Sequence, residues 1–136
     1  WHDGMLLANH LIEGEEINNR GGLIPFAVFT EPEIAGVGMG EKEASEEGHD
    51  IKTQKFYFAH HGRALAIDKL DGFIKLIVDR SNGKLLGGHI IGPSAGEIIH
   101  ELAMAIRMGA AVNDLRDMMH IHPTLTEALN SAAWAG

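Results

Sequence analysis

The sequence predicts an α+β fold, a mostly antiparallel sheet with helices packed on one face. Three observations carry that prediction. FIKLIVD (73–79) alternates, with Ile74, Leu76 and Val78 on one side and Phe73, Lys75, Ile77 and Asp79 on the other. SNGK (81–84) then offers Asn82-Gly83, a pair that tolerates positive φ in a tight hairpin, and LLGGHIIG (85–92) reads as the return strand. After Pro93 the period turns helical, with Ile98, Ile99, Leu102, Ala105 and Ile106 recurring at helix spacing. Strands first and helices after them is the α+β pattern.

The remaining elements follow in order. MLLANHLI (5–12) reads as the end of an apolar helix, and EGEEINNRGG (13–22) as a polar connection at a domain boundary. Ala27–Phe29 and Ile34–Met39 are two short extended pieces around a turn at Pro32. GEKEASEEG (40–48) is a short polar helix stopped by Gly48, and IKTQKFYFA (51–59) is a strand. Residues 60–72 are expected to be a connection with some extended character. In the return strand, Gly87 and Gly88 suggest a bulge or the close approach of another backbone. Ser94 and Glu97 form an S-x-x-E capping box, and Gly109 stops the helix. A second helix is expected over 113–119, with Leu115, Met118 and Met119 apolar. A third follows Pro123 and carries Leu125, Ala128, Leu129 and Ala132.

Composition excludes several classes. The 136 residues fit one domain, and 45% are hydrophobic, enough for a core. A net charge of -8 disfavours nucleic acid or an anionic membrane as partner, because phosphates need clustered Lys and Arg. No apolar run approaches the roughly 20 residues of a membrane span, and no signal-peptide pattern opens the chain. The first residue is Trp1 rather than Met, which fits a piece of a longer polypeptide or a cleaved tag. With no cysteine, a disulfide framework, a thiolate nucleophile and Cys-ligated zinc or iron–sulfur sites are all excluded for this chain. The nine histidines become the candidates for chemistry near neutral pH.

Most candidate sites have a structural reading that is favoured. GVGMGE (36–41) resembles G-x-G-x-x-G, but Glu41 in the sixth position would repel a pyrophosphate. GGHIIGPSAGE (87–97) lacks the P-loop lysine, and a helix start explains it. His10, His49, His89 and His100 stand alone. His60 and His61 adjoin each other, and on a strand they would face opposite ways, unable to share one ion.

HIHPTLTEAL (120–129) leaves three readings open. Extended, His120 and His122 would point the same way, which suits a metal, but zinc would want a further ligand and Glu127 is the local choice. TLTE (124–127) is also a capping box. Finally, Glu127 could orient His122, fixing its tautomer and leaving the second ring nitrogen to move a proton.

Four blocks resemble the C-terminal interface, or dimerisation, domain of the FAD-dependent pyridine nucleotide-disulfide oxidoreductases. They are IPFAVFTEPEIAGVG (24–38), DGFIKLIVD with LLGGHIIGPSAGEII (71–79 and 85–99), ELAMAIRMGAAVNDL (101–115) and HIHPTLTEAL (120–129). The subfamily that these blocks most resemble is the dihydrolipoamide dehydrogenases. MLLANHLIEG (5–14) looks like the last helix of the FAD domain, so the resemblance implies a remnant and linker over 1–22 and the interface domain over 23–136. It implies a catalytic His122–Glu127 pair, donated across a homodimer to the dithiol/disulfide site of the partner subunit. It makes His120 accessory, and it turns the backbone at His122 and Pro123 toward the partner's FAD. FAD and NAD(P) belong to the full-length enzyme, with none expected on this chain alone and no metal. The cysteine pair and nucleotide fingerprints that the family needs are absent here, so this chain alone is not expected to be active. The apolar helix over 95–108 and the sheet could form the twofold surface. A cytoplasmic location is also expected. The alternatives are a small histidine-based metal-binding module and a purely structural interaction domain.

Overall fold

A computed structural model describes residues 2–14 and 22–136. The expected linker over 13–22 therefore lies mostly outside the described residues. Before it runs α1 (His2–Glu13), on which Met5, Leu7, Leu11 and Ile12 are at least half exposed.

Five strands form one antiparallel sheet: β1 (Phe26–Val28), β2 (Glu33–Gly38), β3 (Ile51–Tyr57), β4 (Phe73–Asp79) and β5 (Leu85–Gly92). Their spatial order is β1-β2-β5-β4-β3. The hairpin β4–β5 sits near the middle, which explains why its signal was strongest in the sequence. Residues buried on both sides of a strand leave an apolar record. Ile74, Leu76, Ile77 and Val78 are all essentially buried. In the turn, Gly83 alone takes positive φ, at 74°.

Both expectations for the paired glycines hold. The register slips between Ile77 and Val78, so Leu86 is an extra residue in β5. A Cβ on Gly87 would lie 2.0 Å from the Met39 carbonyl oxygen. On the other side of the sheet, a Cβ on Gly88 would lie 2.5 Å from Leu102 Cδ1. Gly88 is what lets the helix come close.

That helix is α4 (Ala95–Arg107), which crosses β2 and β5. After α5 (Val112–Asp117), α6 (Ala128–Trp134) lies over β3 and β4. The core is shared between Leu76 and Ile90 of the sheet, Ile98, Ile99 and Leu102 of α4, Leu115 of α5 and Leu129 of α6. These helices share one face of the sheet, as expected. The polar helix α2 (Glu41–Glu46) lies at the opposite face, where Glu41 pairs with Lys75 at 2.6 Å.

Four local expectations need correction. Residues 58–66 are not extended: a 3-10 turn, Phe58–His60, leads into α3 (Gly62–Ala66). Five residues are too few to show a helical period. Ser94 does not cap α4, because it is itself left-handed (φ 56°, ψ 30°) with no capping bond from its side chain. A distant carboxylate does part of that work, as Glu33 Oε2 accepts the Gly96 N–H at 3.0 Å. The second helix ends at Asp117, leaving Met118 and Met119 exposed at 47% and 94%. The third starts at Ala128, not at Thr124, and only half of the T-x-x-E box forms. The Thr124 N–H faces Glu127 Oε2 at 3.5 Å, while the Thr124 hydroxyl turns back to Ile121 O.

Candidate functional site

The segment between α5 and α6 has little regular structure of its own, so its neighbours must hold it. The two helices cap each other. Asn130 Nδ2 donates to Leu115 O at 3.1 Å and to Arg116 O at 2.7 Å, pairing carbonyls that end α5. In return, the Arg116 guanidinium donates to Ala133 O near the end of α6, and it stacks 4.7 Å from the Trp134 ring centroid.

Within that frame His122 meets Glu127. His122 Nδ1 lies 3.0 Å from Glu127 Oε1 and 3.2 Å from Oε2. A carboxylate accepts, so Nδ1 carries a proton, and in the neutral ring Nε2 presents its lone pair. Among the described residues Nε2 has no hydrogen-bond partner. The His122 side chain is 79% exposed, whereas Glu127 is 18% exposed. The peptide bond from His122 to Pro123 is cis. A carboxylate that orients an exposed imidazole leaves the second ring nitrogen able to take up or release a proton.

His120 does not join this pair. Its Nε2 lies 3.0 Å from Glu101 Oε1 on α4, its Nδ1 is 3.3 Å from Met118 O, and its side chain is only 6% exposed. The two histidines do line one open depression of about 220 Å³ with Met118, Glu127, Asn130 and Ser131. Each has its own carboxylate, so they do not converge on a shared ion. Among the described residues no three His, Asp or Glu side chains are set to hold a metal. A larger groove, about 520 Å³, lies elsewhere, beside Met39, Leu86 and Arg107.

Other candidates take structural places. Gly38 has φ 72°, and a Cβ there would meet Leu86 O at 2.3 Å, so GVGMGE serves backbone packing. The start of α4 already holds the Glu33 carboxylate, which leaves no cradle for a phosphate. His49 bonds Asp79, and His89 is half-buried in the sheet, where burial and then Lys75 hold its pKa below the ordinary value. His60 is exposed and His61 is buried, so the pair does diverge, though on a turn and not a strand. Sequence reasoning missed two contacts: Glu101 behind His120, and His61, weighed only as a metal ligand, whose Nε2 donates to Thr124 O at 2.8 Å.

Residues 24–133 match the family described as the pyridine nucleotide-disulphide oxidoreductase dimerisation domain. A dihydrolipoyl dehydrogenase of Haloferax volcanii is 43% identical over 131 residues, 96% of this chain and 27% of that protein. Its counterpart in Bacillus subtilis (strain 168) is 46% identical over 129 residues, 93% of this chain and 27% of its own length. The solved structure of the HOCl-induced flavoprotein disulfide reductase RclA from Escherichia coli superposes with TM-score 0.91 at 29% identity. It matches 98% of this chain and 31% of that one.

Proposed function

This chain belongs to the pyridine nucleotide-disulphide oxidoreductase family, in its dimerisation domain, and from that premise we propose that it gives the partner subunit of a homodimer an acid/base pair. In this reading residues 23–136 are the interface domain of a dihydrolipoamide dehydrogenase-like flavoprotein. Residues 1–22 are the end of the preceding FAD domain and its linker. The observation that carries the proposal is the 3.0 Å contact from His122 Nδ1 to Glu127 with Nε2 facing outward.

The chemistry of this chain's own residues is then simple. Nε2 takes a proton as a substrate thiol becomes a thiolate that attacks the enzyme's disulfide, and it returns that proton to the thiolate released when that disulfide is reduced. The Glu127 carboxylate stabilises the imidazolium that forms in between. This chain contains no cysteine, so the reacting sulfurs come from other segments. FAD and NAD(P) would belong to the full-length enzyme, with the backbone at His122 and Pro123 turned toward the flavin. Bound FAD would pass electrons between the dithiol and the nicotinamide. His120 lines the same depression as an accessory residue.

The homodimer draws support from apolar surface that the fold leaves uncovered. Met104 on α4 and Met108 just past its end are 61% and 75% exposed, and Phe26 and Tyr57 on the sheet are about half exposed. Among the described residues no helix is long and apolar enough to cross a membrane. The cytoplasmic location remains part of the proposal.

Turnover of a lipoyl or other disulfide substrate by the longer enzyme is the test. His122→Gln should lower it by about 10²–10⁴-fold, the usual worth of a general acid/base. Near-normal turnover would remove His122 from the mechanism.

A further inference from the structure

Thr124 is held from three sides. Its hydroxyl donates to Ile121 O at 2.8 Å, its N–H faces Glu127 Oε2 at 3.5 Å, and its carbonyl accepts from His61 Nε2 at 2.8 Å. The first two contacts lie inside the segment that carries the pair. The third comes from 63 residues earlier. His61 is 3% exposed, and its ring meets Phe56 and Phe58 edge-on, with centroids 6.0 and 6.4 Å away. Phe58 is itself fully buried. A carbonyl can only accept, so the proton of this bond sits on His61 Nε2.

We infer that His61 is a positioning residue for the His122–Glu127 pair. Glu127 is anchored by α6, whereas His122 is largely exposed and lies on an irregular turn. What sets their separation is the backbone between them, and Thr124 is its midpoint. Packing fixes the His61 ring, the ring fixes the Thr124 carbonyl, and the carbonyl fixes that backbone. The inference deepens the proposed function, and only its consequence for turnover rests on that reading.

Long-range ¹⁵N correlation spectra of the histidine rings in this chain test it without any assay of activity. In the unaltered chain, neutral His61 should be the Nε2–H tautomer and neutral His122 the Nδ1–H tautomer. His61→Leu keeps apolar bulk and removes the donor, and it should spread His122 over both tautomers. His61→Gln supplies an amide donor and should restore the Nδ1–H form. An Nδ1–H tautomer at His61, or an unchanged His122 in His61→Leu, would overturn the inference. Should His61→Leu fail to fold, the unaltered spectrum and the Gln variant still decide. In the longer enzyme, His61→Leu should lower kcat by about 10- to 10²-fold with KM little changed. A disturbed tautomer with normal kcat would leave the positioning intact and count against the catalytic role of His122.

Discussion

Glu127 Oε1 lies 3.0 Å from His122 Nδ1, with the carboxylate mostly covered and the imidazole mostly exposed. The group that orients is thus fixed, and the group that would react is accessible. Replacing Glu127 separates geometry from charge. In the longer enzyme Glu127→Gln keeps an acceptor for the Nδ1 proton but cannot stabilise an imidazolium, so turnover should fall on the order of 10²-fold. Glu127→Ala loses both and should fall toward the level of His122→Gln. Steady-state turnover of the three variants checks the order. Full activity in Glu127→Ala would show that the contact is not used.

Two neighbouring glycines should respond differently to alanine. A Cβ at Gly88 meets the flexible end of Leu102, whereas one at Gly87 meets the Met39 backbone at 2.0 Å. Gly88→Ala should therefore cost about 1–3 kcal/mol, as an overpacked core does. Gly87→Ala forces the strand and the Met39 backbone apart and should cost more. Urea unfolding of both variants measures the difference. Equal stability losses would mean that the backbone yields as readily as a leucine side chain.

The mutual capping of α5 and α6 gives a third expectation. Asn130 satisfies two carbonyls through one amide, those of Leu115 and Arg116. Asn130→Ala should cost roughly 1–3 kcal/mol, the penalty for leaving part-buried acceptors unpaired. The midpoint of urea unfolding should fall with the slope unchanged. An unshifted midpoint would mean that water replaces the amide.

How much the sequence disclosed depended on whether the encoding was local. The β4–β5 hairpin and α4 were legible because long patterned runs carry their own period. The His122–Glu127 contact was also within reach, since one turn of chain joins its members. Glu101 and His61 were not legible, because folding brings them to His120 and Thr124 from 19 and 63 residues away. The same reason explains the missed cap of α4. Ser94 matched the local motif, yet Glu33 of β2 reaches the Gly96 N–H. Only the fold tells a real cap from a matching string.

The carboxylate of Asp79 gives the clearest dependence on pH. The Ser81 hydroxyl, then His49, then the Ser81 backbone N–H hold its pKa down to about 2 from an ordinary 3.8. A folded value below the unfolded one means that the native state prefers the ionised form. The contribution is therefore fully present above about pH 4 and is lost as pH falls toward the folded value near 2. Asp79→Asn lacks this titration, so the stability gap between parent and variant should close progressively across that window. Urea unfolding at a series of acidic pH values, read as the difference between the two proteins, measures it. Because the Ser81 hydroxyl is the largest cause, Ser81→Ala should narrow the window more than His49→Phe does. A gap that stays constant down to the acid limit would show that Asp79 stabilises the hairpin by its shape and hydrogen bonds and not by its charge.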